Sequence, residues 1–298
     1  MGSWGASKAI TKDTWGVVKR NPYMFWFPVV AGVVATVAVL VIAGTGLGVL
    51  GITTVTSDVT SAASGGELPT STLIIGIVIL ILAAYAGTLI TQVCMGGLVH
   101  CANEELNGRS SSFGAGIAAA FGRLPALLGW AAIQTAVGWL LSMIQGNGGD
   151  NIIITILRAI LASLAAVAWS VISFFVLPMI MLRGKGPLSG IKESVKLIRA
   201  TWGMQIAGGV RIGGMILLIA LLPGILALVA GVFLAAGDQL VLGIPLAAIG
   251  IVVILAGQVL ISALRAVFSV ALLHFAEQGQ AIGPYNMGEL QSAVRVKS

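Results

Sequence analysis

Twenty-five consecutive residues, Leu240 to Leu264, carry no charge. They open a longer apolar stretch, 240–278, whose charges are Arg265 and Glu277 alone. As a helix rising about 1.5 Å per residue this stretch measures about 55 Å, and a bilayer core is about 30 Å thick. Such a helix spans a membrane and must also tilt, kink or project beyond it. Five further runs are long and apolar enough to span, so six crossings are expected: 25–50, 72–99, 124–144, 152–182, 206–235 and 240–275. With 9% charged residues, against about 25% in soluble domains, no polar stretch remains from which to build a soluble domain. The 40 glycines lie within apolar runs, where small residues let membrane helices approach closely.

The charges then set orientation. Of the 16 basic residues, 13 fall in the N-terminal segment, alternate linkers and the C-terminal tail. The intervening linkers, 53–71, 145–151 and 236–239, carry Asp58, Glu67, Asp150 and Asp238 and no basic residue. Basic residues stay on the cytoplasmic side. The expectation is a multi-pass protein of the cell inner (plasma) membrane with both termini in the cytoplasm. This placement assigns the net charge of +6 to topology and excludes a nucleic-acid partner. Cys94 and Cys101 fall on the reducing side, so no disulfide is expected. The first apolar run is too long for a signal peptide.

The segments on the basic side share a design. Pro187–Trp202 places Leu188, Ile191, Val195, Ile198 and Trp202 on one helical face, with Lys192, Glu193, Lys196 and Arg199 around it. Gly186 and Pro187 suit a helix start. Such a helix lies in the headgroup plane, apolar side down. Ile117, Phe121 and Leu124 repeat the pattern, as do Ile10, Thr14 and Val17 above Lys8, Lys12 and Lys19. Trp15-Gly16 is read as the end of the first surface helix and Trp202-Gly203 as the end of the third. The fold class is therefore an all-α membrane protein: six transmembrane helices in three tandem hairpin units with cytoplasmic interfacial amphipathic helices. The pseudo-repeats cover 4–104, 110–183 and 187–280, with a tail at 281–298, inside one membrane domain. Each unit ends on a long return helix, and aligning the units sets Arg265 level with Thr91 and Ala168.

The opening pattern Trp15-Gly16, Val18-Lys19, Asn21-Pro22 and 25–28 resembles an uncharacterised family of six-helix prokaryotic membrane proteins. The later pattern, Gly186-Pro187 to Ser194, Leu197 and Trp202-Gly203, is similar to a broader group. That group includes the membrane domain attached to some glycerophosphodiester phosphodiesterases. The resemblance implies a fold and no established activity, and no phosphodiesterase catalytic domain is present.

Several residues are candidates for function. Charged residues within spanning helices mark functional sites by default. Arg158, Arg211 and Arg265 are thus candidate pore or ion-pair residues, with snorkelling or structural pairing as the plainer reading. Arg158 lies near the acidic side, within reach of Asp150, Asp58, Glu67 or Asp238. Gln92 and Gln258, with Gln134 and Gln205, either line a polar path or hydrogen-bond between helices. Arg183, Lys185, Lys192, Lys196 and Arg199 form a cluster suited to anionic lipid, or simply to setting topology. His100, Cys101, Glu104, Glu105 and His274 offer metal-ligand chemistry but no standard ligand spacing, so no metal or other cofactor is expected. The spacings Gly44-Gly48, Gly46 with Leu50-Gly51, and Gly209-Gly213 permit close helix contacts.

No nucleophile elbow and no paired intramembrane carboxylates occur, so the chain is read as non-enzymatic. The leading expectation is an oligomeric channel or permease for ions or small solutes. The alternative is a structural, lipid-organising scaffold or partner subunit. Expected partners are the bilayer, anionic lipid at the cytoplasmic surface, and further copies of the chain.

Overall fold

The computed structural model describes residues 3–57, 70–146, 152–202, 222–237 and 239–288. Every described element is helical. Helix α1 is Ser3–Arg20, and a short 3-10 turn, Pro22–Phe25, leads into α2, Trp26–Ser57. Then follow α3, Thr70–Leu106, α4, Phe113–Phe121, α5, Leu124–Gln145, and α6, Ile152–Ile172. The chain continues through α7, Val176–Arg183, α8, Pro187–Trp202, α9, Leu222–Ala236, and α10, Leu240–Gln278.

Five helical stretches are long and apolar enough to cross a membrane: Pro22–Gly51, Thr70–Leu106, Leu124–Gln145, Ile154–Arg183 and Leu240–Gln278. Of the sixth expected crossing, 206–235, the described part is α9; the remainder lies outside the described residues, together with Arg211, Gln205 and the Gly209-Gly213 spacing.

Antiparallel packing joins neighbouring helices. Along α2 and α3, Gly46 lies under Ile79 and Gly87 under Val39. Helices α5 and α6 meet where the Trp130 and Trp169 rings stack at 5.9 Å. Among the described glycines, the closest backbone approach is between α9 and α10. A Cβ on Gly231 would lie 2.7 Å from the Ala247 Cα, and one on Gly250 would lie 2.8 Å from the Gly224 carbonyl oxygen. Gly224 and Gly231 on α9 face Gly243 and Gly250 on α10, and each pair is seven residues apart. The glycine spacings singled out from sequence behave differently. Gly46 is packed, whereas Gly44, Gly48 and Gly51 face open space.

The packed core sits at one end. It gathers Val17 and Val18 of α1, Phe27 of α2, Leu98 to Leu106 of α3, Trp130 of α5, Met179 and Ile180 of α7, and Val267 to Leu273 of α10. This is the end that carries α1, α4 and α8, with the basic residues of α1 and α8. Away from it the helices are largely bare. Between 11% and 17% of each span's most apolar window is buried, and Leu40, Ile74, Leu164, Phe233 and Val241 are all exposed. Apolar side chains on the outside of long helices are what a lipid solvent requires.

Two expectations are corrected here. Helix α1 does not stop at Trp15-Gly16 but runs on to Arg20. The return helix expected over 152–182 is broken after Ile172, and α7 begins at Val176. The cause is Pro178. A proline has no N–H and its ring collides with the carbonyl four residues earlier, here that of Phe174. Within the first turn of a new helix the same proline is tolerated.

Candidate functional site

A helix end leaves its last carbonyls without intrahelical partners, and at the α6 break each of the last four is satisfied. The Trp169 carbonyl accepts from the Ser173 N–H at 2.8 Å, and that of Val171 from the Phe174 N–H at 3.1 Å. The Ser170 carbonyl accepts from Arg265 Nη2 at 3.3 Å, and the same nitrogen donates to Ser170 Oγ at 2.9 Å. The Ile172 carbonyl accepts from the Ser194 hydroxyl at 2.6 Å. Arg265 also lies over the Phe174 ring, 5.7 Å from its centroid. The guanidinium thus sits at a helix C-terminus, where the backbone dipoles favour a cation. This gives a structural reason for the charge expected to mark a pore.

Ser194 fixes α8 in place. Gly190, Ser194 and Ile198 form its buried face, and a Cβ on Gly190 would lie 3.2 Å from Val176 Cγ1. The apolar face expected from sequence is therefore rotated. Ile198 belongs to the buried face, but Leu188 is 68% exposed. The helix rests on protein along one side and presents Leu188 on another. Arg199, Lys192 and Lys196 lie next round the helix, and all three are exposed.

The basic cluster divides accordingly. Arg183 is ion-paired with Glu277 on α10, and Lys185 with Glu193 at 2.9 Å. Lys192, Lys196 and Arg199 make no ion pair among the described residues. Gly184 ends α7 with φ +65°, and a Cβ there would lie 2.8 Å from Arg123 Nη1. Glycine suits this αL position on both counts.

Polar contacts lock the rest of this end. Tyr23 donates its hydroxyl to Glu105 Oε1 at 2.9 Å, and the Ser111 N–H donates to the same oxygen at 3.2 Å. Glu104 pairs with Arg109 at 2.5 Å. His274 Nε2 lies 2.8 Å from Asn103 Oδ1. The Cys101 thiol donates to the Ser112 carbonyl at 3.3 Å, and Cys101 and Cys94 are both free and buried. Of the residues weighed as metal ligands, Cys101, Glu104, Glu105 and His274 are thus engaged with other partners, and no group of three or more such ligands occurs among the described residues. Thr14 and Tyr285 share a buried hydrogen bond at 2.8 Å.

The candidate path residues stand in separate places. Arg158 Nη1 donates to the Gly146 carbonyl at 3.2 Å, at the far end of α5; the four carboxylates expected near it lie outside the described residues. Gln134 accepts from Trp169 Nε1 at 2.6 Å, a bond between helices. Gln92 lines a groove of about 430 Å³ between α2 and α3, with Thr36, Val39, Gly87, Thr88 and Thr91. Gln258 is exposed on α10. The contact sequence reasoning missed is Ser194 on Ile172. Its signal was Pro178, which places a helix end four residues upstream.

Fold and site define a multi-pass, all-helical membrane protein. The chain belongs to DUF6159, a family of unknown function, whose model matches residues 74–283. No curated protein matches the chain.

Proposed function

We propose that this is a non-enzymatic membrane scaffold that organises anionic lipid at the cytoplasmic surface. The observation that carries the reading is α8. It is pinned to the α6 break through Ser194, and it holds Lys192, Lys196 and Arg199 exposed beside the exposed Leu188. A helix so placed offers cations at headgroup level and an apolar edge to the acyl boundary. In this reading the chain crosses the inner membrane six times, as three hairpins with both termini in the cytoplasm. The α2–α3, α5–α6 and α9–α10 contacts support the hairpins, and the charge asymmetry supports the orientation. Homo-oligomers are part of the proposal, and no cofactor is required by it.

The test is lipid selectivity. Protein reconstituted in phosphatidylethanolamine vesicles containing phosphatidylglycerol should restrict spin-labelled phosphatidylglycerol. Each basic residue near such a surface contributes about 1 kcal/mol. Lys192→Glu with Lys196→Glu should therefore remove most of the selectivity. Unchanged selectivity in that double variant defeats the proposal.

Transport through the membrane is the second reading. Its support is the Gln92 amide in the α2–α3 groove, which has no hydrogen-bond partner among the described residues. Solute or ion flux in liposomes, lost in Gln92→Leu, is its signature; absence of flux removes it.

A further inference from the structure

Arg265 uses only part of its bonding capacity. Nη2 is committed to Ser170, which leaves Nε and Nη1 of a group with five N–H donors. Among the described residues no carboxylate lies within ion-pair distance of it: the ion pairs there are Arg109–Glu104, Arg183–Glu277 and Lys185–Glu193. Its side chain is exposed, although its neighbours Ala263, Ala266 and Val267 on the same helix are buried. A cation in a spanning segment is costly unless an anion or water meets it.

The surroundings indicate which anion. Ser170 is two residues from Ile172, on which α8 docks, so the guanidinium's anchor lies about 3 Å deeper than that docking point along α6. An amphipathic helix of this kind marks the headgroup level. Helix α10 packs along α3, α7 and α8, and Arg265 is its bond to α6. Outward of this bond, Leu164 and Val167 on α6 and Leu255 on α10 are exposed apolar residues. The place therefore combines unspent cationic donors at phosphate depth with exposed apolar side chains further along both helices.

We infer that Arg265 binds the phosphodiester of an anionic phospholipid whose acyl chains lie between α6 and α10, in the leaflet at the basic end. The guanidinium then bridges two acceptors, the α6 carboxyl end and the lipid phosphate. This site does not depend on the α8 charges. It stands even if Lys192 and Lys196 prove inert towards lipid, and its failure leaves the α8 reading untouched.

The test uses the full chain in nanodiscs of phosphatidylethanolamine with a trace of photoactivatable phosphatidylglycerol. Label should appear on peptides containing 164–174 and 255–268. Loss of one cation–phosphate contact worth about 1 kcal/mol corresponds to about a fivefold fall in labelling for Arg265→Gln. Arg265→Lys should keep most of it, and Ser170→Ala, which removes an acceptor and no charge, should label as the parent does. Competition on the parent protein covers the case in which Arg265→Gln does not fold. Unlabelled phosphatidylglycerol should displace the label, and phosphatidylethanolamine or millimolar inorganic phosphate should not. Equal labelling of Arg265→Gln and the parent overturns the inference. So does displacement by inorganic phosphate, which would mark a site for a free anion.

Discussion

The hydroxyls of Thr14 and Tyr285 meet at 2.8 Å between segments 271 residues apart. Tyr285 is 4% exposed, and burial pushes its phenol up to about 12 from 10.0. The neutral form is therefore favoured in the folded state. Its contribution is complete below pH 10, the unfolded value, and is lost as pH rises through about 12. The amount at stake is about 3 kcal/mol at 1.36 kcal/mol per unit. Tyr285→Phe should abolish that alkaline loss and cost about 1 kcal/mol near neutrality, the usual worth of one hydrogen bond. Thermal unfolding in detergent from pH 8 upward reads both. An identical alkaline decline in the two proteins contradicts the assignment.

Where α4 crosses α3, a Cβ on Gly116 would lie 2.6 Å from Cys101 Sγ and 2.7 Å from the Gly97 carbonyl oxygen. Overpacking of this kind costs about 1–3 kcal/mol, so Gly116→Ala should lower the melting temperature. Gly48 faces open space, and Gly48→Ala in a helix interior should be neutral or stabilising by up to about 1 kcal/mol. The contrast between the two alanines is the measurement.

Ser194→Ala leaves the Ile172 carbonyl without its donor. A buried acceptor left unpaired costs about 1–3 kcal/mol, and α8 should loosen. Hydrogen exchange of α8 amides is expected to quicken while α2 and α3 stay unchanged. Pro178→Ala should act on the same break from the other side. With an N–H restored at 178, the helix can run through 173–175, and those amides should gain protection.

On α9 and α10, Gly231→Val places side-chain atoms where Ala247 backbone already lies. The pair should separate, read as faster hydrogen exchange of the α9 amides than in the parent protein.

The start of α8 was legible from sequence because local chemistry sets it: Gly186-Pro187 begins the helix, while its end, expected at Trp202-Gly203, borders residues outside those described. Its orientation was not legible. Sequence pattern ranks Leu188 with Ile198, but Gly190 and Ser194 let the helix lie closer to α7 on their side. The break in 152–182 escaped because hydropathy runs through it undiminished. Proline acts on the backbone four residues away, and only the structure supplies the serine and arginine that make the gap tolerable. Arg265 was visible as an intramembrane charge, while its acceptor, Ser170, stands 95 residues earlier. No spacing rule connects the two.

The location of the core bears on how the chain is made. Val17 and Val18 are made before α10, Leu273 within it and Tyr285 after it, and all four belong to one cluster. Until α10 has entered the bilayer, the first helices lack the surface against which they finally pack. The packing of α3 on α4, α5 and α7 can form before then, but the side of the cluster that α10 supplies cannot. Truncation before α10 should thus leave an inserted but protease-sensitive chain, because Val17, Phe27 and Leu98 lose the packing that Val267 to Leu273 supply.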